Sequence, residues 1–218
     1  MRVSHFAVFI SLLLTSACCL AQRVDVAVGG GISLVSDTNV TFAVRCSLPP
    51  SSCPPVAFKD HLQTDHTWFL SGSLAVRLLD RKTWAVHLEF PAAGVVSQHL
   101  KLPSTQAFGA DMSSIFVTPS VRVKLLPDSF LSPWVSAGGG WARYTVDPDN
   151  TTNKGAIQLG GGLDFKSGIQ RLRFRAEVRD FVTGDPTLSL VSGPFVGKSE
   201  GGFHRHNLLV GGGVLFRF

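Results

Sequence analysis

The sequence predicts an all-β fold, an eight-stranded antiparallel up-and-down transmembrane β-barrel, and three observations carry that expectation. Apolar residues recur at every second position in eight segments, the period of a strand with two unlike faces. The links between those segments alternate long and short along the chain. Charged residues make up only 16% of the 218 residues, well under the roughly 25% of a typical soluble domain, so the wall of such a fold suits water poorly.

The segments run in order. Val24–Ser33 turns Val24, Val26, Val28 and Ile32 to one side and Asp25 to the other. Thr67–Leu79 separates Trp68, Leu70, Leu74, Val76 and Leu78 from Ser71, Ser73 and Arg77. Thr83–Phe90 sets Trp84, Val86, Leu88 and Phe90 against Thr83, His87 and Glu89. In Ile115–Leu125 the apolar face is Ile115, Val117, Val121, Val123 and Leu125, and the polar one is Thr118, Ser120, Arg122 and Lys124. Pro119 inside this segment cannot donate to a ladder, which predicts a bulge or a change of register there. Pro133–Tyr144 divides Val135, Ala137 and Trp141 from Ser136, and Ala156–Phe165 divides Ile157, Leu159, Leu163 and Phe165 from Gln158 and Asp164. Leu172–Val182 places Leu172, Phe174, Ala176 and Val178 opposite Arg173, Arg175, Glu177 and Arg179. Asn207–Phe218 closes the series with Leu208, Val210, Val214, Phe216 and Phe218 opposite Asn207 and Arg217.

Volume decides which face is outside. Eight strands enclose a lumen just wide enough for side chains or one small ligand, and several segments approach the 9–11 residues a tilted strand needs to cross a bilayer. Together with the low charge content, this points the apolar face to lipid. The links 34–66, 80–82, 91–114, 126–132, 145–155, 166–171 and 183–206 read long, short, long, short, long, short, long. Outer-membrane barrels show that asymmetry, with short periplasmic turns and longer extracellular loops. Asp80-Arg81-Lys82, Pro127-Asp128-Ser129 and Lys166-Ser167-Gly168 supply the chemistry of the short turns.

Aromatics then fall into two girdles, with Trp84, Phe165, Phe216 and Phe218 at the periplasmic ends and Trp68, Phe90 and Trp141 at or towards the extracellular ends. Four glycine triplets, 29–31, 138–140, 160–162 and 211–213, lie within segments rather than turns. In a tight barrel they permit curvature and leave room for large inward side chains opposite. A phosphate-cradling loop is disfavoured because no Lys-Ser/Thr or strand–helix context follows them.

The enclosed charges are the most chemical feature. Arg77, His87, Glu89, Arg122, Lys124, Arg173, Arg175, Glu177 and Arg179 are expected to form a lumen network of ion pairs, since an unpaired charge there would be costly. With Arg217, the inward set holds seven bases against four acids, Asp25, Glu89, Asp164 and Glu177, so any residual pore should prefer anions.

Residues 1–21 read as a secretory signal, with Arg2 at the start, the apolar stretch FAVFISLLL and a cut before Gln22, leaving 22–218 as the barrel domain. Thr15-Ser16-Ala17-Cys18 is a rival lipoprotein reading, weakened by Thr where an aliphatic residue is usual. Beyond residue 21 no apolar run reaches the roughly 18 residues of a transmembrane helix. Export leaves Cys46 and Cys53 flanking CSLPPSSC, a pair suited to a local disulfide. A metal site combining them with His61 and His66 has no recognised zinc spacing, so no metal or cofactor is expected. The +5 charge is spread without a basic block, which argues against a nucleic-acid partner.

The terminal stretch HNLLVGGGVLFRF, with Val210, Gly212, Val214, Phe216 and Phe218 on one side, resembles the last strand of small eight-stranded outer-membrane barrels of the OmpA/OmpX type. The resemblance spans the mature chain as a pattern. It implies an outer-membrane protein whose Val210, Val214, Phe216 and Phe218 form the signal read by the barrel-assembly machinery. It also implies a monomer surrounded by outer-membrane lipid and lipopolysaccharide, with a structural or adhesin-like role and a possible surface ligand at the extracellular loops. Some barrels of this size modify lipid A with a Ser–His–acid set. His99, His204 and His206 are the candidates here, yet no Ser follows any of them at the two-residue spacing of the deacylase motif, and solvated loop histidines with no enzymatic role are the expectation.

Overall fold

The computed structural model describes residues 24–46, 56–101, 109–146, 150–184, 189–192, 195–200 and 205–218, and of residues 38–46, 56–62, 109–110, 150, 189–192 and 195–200 the backbone. Its strands are β1 (Val24–Val35), β2 (Thr38–Cys46), β3 (Val56–Thr64), β4 (Thr67–Asp80), β5 (Trp84–Lys101), β6 (Gly109–Val117), β7 (Ser120–Leu125), β8 (Leu131–Val146), β9 (Asn150–Lys166), β10 (Leu172–Thr183), β11 (Ser189–Ser192), β12 (Phe195–Glu200) and β13 (Arg205–Arg217).

Eight of these positions close a cylinder. Going round it, β1 pairs with β4, then come β5, the β6/β7 strand, β8, β9, β10 and β13, and β13 returns to β1, every pairing antiparallel. The last strand is thus no loose end: Asp25 lies opposite Arg217 and Val35 opposite Asn207, and the Phe218 N–H donates to the Val24 carbonyl at 2.8 Å. Closure hides both edges, as a β-structure in lipid requires.

The two faces sort as the period-two pattern dictates. Val28, Trp68, Leu70, Leu74, Val121, Val135, Leu159 and Phe174 are exposed on the outer wall, while Asp25, His87, Glu89, Arg122, Lys124, Asp164 and Arg175 are buried inside. Pro119 causes neither of the expected irregularities. Val117 pairs with Ala92 and Trp141, and Ser120 pairs with Glu89 and Gly138, so register is unbroken across it and Thr118 and Ser120 stay inward. The register shifts lie elsewhere, between Arg77 and Leu79 and between Val95 and Gln98. At the first, Leu78 and Leu79 both face out.

All four long links expected as loops contain strand, and in the third of them β8 runs on to Val146 and β9 begins at Asn150. β5 continues through Pro91 to Lys101, which leaves Phe90 part-way along the wall instead of at its outer girdle. The first and last long links fold as hairpins: β2 pairs with β3, β11 with β12, and β12 with β2, joining the two links in one four-stranded sheet at the long-loop end. β3 returns to the barrel through Gln63 and Thr64, opposite Lys101 and Leu100 of β5. The Cys46–Cys53 pairing, the signal segment and His204 lie outside the described residues.

Candidate functional site: the filled lumen and the long-loop end

Glu89 on β5 receives three guanidiniums on one oxygen, Oε1: Arg179 donates from Nη2 at 2.9 Å, Arg122 from Nη1 at 3.2 Å and Arg175 from Nη1 at 3.5 Å. Asp164 on β9 accepts Arg175 as a fork, Nε at 2.8 Å and Nη2 at 3.2 Å, and also accepts from the Lys124 ammonium. Asp25 on β1 accepts from Arg122 Nη2 and Arg217 Nε, both at 3.2 Å, with His87 Nε2 3.7 Å away. Glu177 accepts from Arg179 Nε at 3.1 Å and from the Ser71 hydroxyl at 3.3 Å. Arg122, Arg175 and Arg179 each bridge two carboxylates, so the cluster is one connected network across six barrel positions.

Two residues assigned to this network sit apart from it. Arg77 donates to Asp80 at 2.6 Å beside the first short turn. Arg173 donates to the Ser132 hydroxyl at 3.2 Å and the Pro127 carbonyl at 2.9 Å near the second.

Sequence reasoning passed over Trp134. It is 2% exposed and stands inward on β8, with the guanidiniums of Arg175, Arg179 and Arg122 at 4.9, 5.1 and 5.8 Å from its ring. Its π-face attracts cations that four carboxylates cannot wholly neutralise. The signal was present, because the alternation that turns Val135 outward and Ser136 inward also turns Trp134, two residues before Ser136, inward. Glycine makes the space: a Cβ on Gly162, directly opposite, would lie 2.3 Å from the Ala176 carbonyl oxygen and 2.7 Å from the Trp134 ring.

Above the charged layer, towards the long-loop end, lies an apolar one that the sequence reading did not anticipate. Phe69, Val95, Leu100, Met112, Phe116 and Phe181 belong to a single buried cluster. Phe116 stacks on Phe181 at 4.7 Å between ring centroids and meets Tyr144 edge-on at 6.0 Å. The Tyr144 and Thr183 hydroxyls are bonded at 2.5 Å, and Asn207 Nδ2 donates to the Phe181 carbonyl at 2.9 Å. Between the layers a cavity of about 20 Å³, bordered by Phe69, Ser71, Ser73, Glu177 and Arg179, has room for about one water. Arg205, fully buried and donating to the Thr64 hydroxyl at 3.2 Å, is an eighth inward base.

On the outer wall His99 pairs with Asp111 at 2.9 Å and His206 Nδ1 with Asp180 at 2.7 Å. Strand pairing also brings Ser36 beside His206, although they are far apart in sequence: the Ser36 hydroxyl accepts the His206 backbone N–H at 3.2 Å. No cluster of three or more His, Cys, Asp or Glu side chains suited to a metal occurs among the described residues.

The sequence matches no protein-family model and no curated protein. Among solved structures, the outer membrane protein OprG from Pseudomonas aeruginosa superposes with a TM-score of 0.55 at 12% identity, over 89% of this chain and 95% of that one. The chain has the fold of a small outer-membrane β-barrel. Neisserial surface protein A overlaps more loosely, with a TM-score of 0.47 at 14% identity over 90% of this chain and 97% of that one. In barrels of this fold short turns face the periplasm and long loops the cell surface, which makes the charged layer periplasmic and the Phe116 layer the outer one.

Proposed function

We propose that the protein is an integral outer-membrane barrel that acts as an anchor, closed to solutes, and displays the β2–β3–β11–β12 sheet for contact with other surfaces. The observation that carries this reading is the pair of stacked layers inside the cylinder, an ion-pair network below and a packed aromatic cluster above. Eight-stranded lumens are commonly filled in this way. On this reading the wall meets outer-membrane lipid and lipopolysaccharide, the barrel is a monomer, and β13 with Val210, Val214, Phe216 and Phe218 is what the assembly machinery engages. It has no catalytic role. Planar-bilayer recording of the purified protein tests it: the expected trace is flat, whereas steady openings reshaped by Glu177→Ala would make it a narrow anion-preferring pore.

One observation favours a second reading, an acyl-ester hydrolase acting on lipid A of the outer leaflet. Ser36, His206 and Asp180 meet on the outer wall from three adjacent strands, a nucleophile, a base and an acid. We rank it second because the Ser36 hydroxyl is bonded to the His206 backbone and not to its ring. Loss of an acyl chain from lipid A on expression of the wild type, absent with Ser36→Ala, would put it first.

A further inference from the structure

At the periplasmic end, the turn between β9 and β10 forms one wall of an open depression of about 310 Å³. Four basic side chains border it, Lys166, Arg171, Arg173 and Arg217, together with Ile169 and Leu172. Their local compensation is incomplete. Arg217 shares Asp25 with Arg122 and lies 3.7 Å from Asp128. Arg173 is 5% exposed, yet among the described residues its two hydrogen bonds go to neutral oxygens, those of Ser132 and Pro127. The Lys166 ammonium donates to the Asp128 backbone carbonyl, again a neutral acceptor. Arg171 is fixed in the turn at φ 72°, with its carbonyl accepting the Arg217 N–H at 2.8 Å. Four cations therefore converge where the nearby acids are exposed Asp128 and two that other bases already share, Asp25 with Arg122 and Asp164 with Lys124 and Arg175.

The rim is as unusual as the charge. Ile169 in the turn is 66% exposed, and at the same end of the barrel Phe130, whose carbonyl accepts the Lys166 N–H, and Phe218, which follows Arg217, are 69% and 68% exposed. From the same corner Phe216 and Phe174 continue along the outer wall towards the long-loop end. A concave cationic site opening on to an apolar wall matches a molecule with an anionic head and hydrocarbon tails. Guanidinium and ammonium groups bind phosphate oxygens by charge-assisted hydrogen bonds, and apolar side chains at headgroup depth take up acyl chain.

We propose that this depression holds the phosphate of an anionic phospholipid of the periplasmic leaflet, with its acyl chains along Ile169, Phe216 and Phe218. The proposal rests on the wall being lipid-facing. It is tested on the full-length barrel in nonionic detergent, by native mass spectrometry after incubation with equal amounts of phosphatidylglycerol and phosphatidylcholine of identical chains. The wild type should retain phosphatidylglycerol preferentially, and Lys166→Gln/Arg171→Gln should lose at least about fivefold of that preference, as each cation near a membrane surface is worth about that factor. Arg171→Lys should keep most of it. Equal retention of the two lipids, or an unchanged preference in the double variant, would overturn the proposal. Displacement of the lipid by millimolar inorganic phosphate alone would also overturn it, by making this a site for free anions. Heat-modifiable migration of both variants separates a failed site from a failed barrel.

Discussion

Glu89 concentrates three guanidiniums on a single buried oxygen, and their charges are enclosed by a wall that faces hydrocarbon. Removing its charge leaves Arg122, Arg175 and Arg179 with fewer carboxylates to compensate them in a buried, low-dielectric interior. Glu89→Gln is therefore expected to destabilise the folded barrel by about 3–5 kcal/mol, read as a lower urea midpoint in lipid vesicles. Asp111→Asn, which breaks the exposed His99–Asp111 pair, should change stability by less than about 1 kcal/mol. At this scale the sequence specified direction well. Alternation alone placed Asp25, His87, Glu89, Arg122 and Arg175 inward, because a side chain on a strand has only two sides. It did not specify depth or partners, which depend on the stagger of strands distant in sequence. Hence Arg77 and Arg173 were grouped with charges they do not meet, and Trp134 was left out.

Among the elements, β9 and β8 show why the glycine triplets are where they are. Gly162 faces inward opposite Trp134, so a branched side chain there would collide with the ring and with the Ala176 carbonyl at once. Gly162→Val is expected to cost about 1–3 kcal/mol or more by overpacking, seen as a lower yield of the heat-modifiable folded form, with Gly155→Val as the neutral control since no atom lies within 4 Å of its added Cβ. Most barrel strands were legible from their period, but β5 beyond Phe90 was not. Pro91 reads as a strand breaker, and the register shift between Val95 and Gln98 turns both Val96 and Ser97 outward, so the alternation changes phase midway. The β2–β3 and β11–β12 hairpins were missed because a search for membrane-crossing segments treats everything beyond the wall as loop.

For the whole molecule, the account reduces to an inside-out arrangement: an apolar shell in lipid around a polar lower core and an aromatic upper one. The topology was readable because link length and alternation agree. The layering was not, since Phe69, Phe116, Phe181 and Leu209 interrupt the polar face singly and become a cluster only when the cylinder closes. The four tryptophans allow the arrangement to be tested directly. Single-tryptophan versions retaining Trp68, Trp84, Trp141 or Trp134 can be reconstituted in vesicles of brominated lipid and their fluorescence compared with that in unbrominated vesicles. The account predicts strong quenching for Trp68, Trp84 and Trp141, which lie on the outer wall, and little for Trp134, which is buried among guanidiniums. Quenching of Trp134 as strong as that of the other three would contradict it.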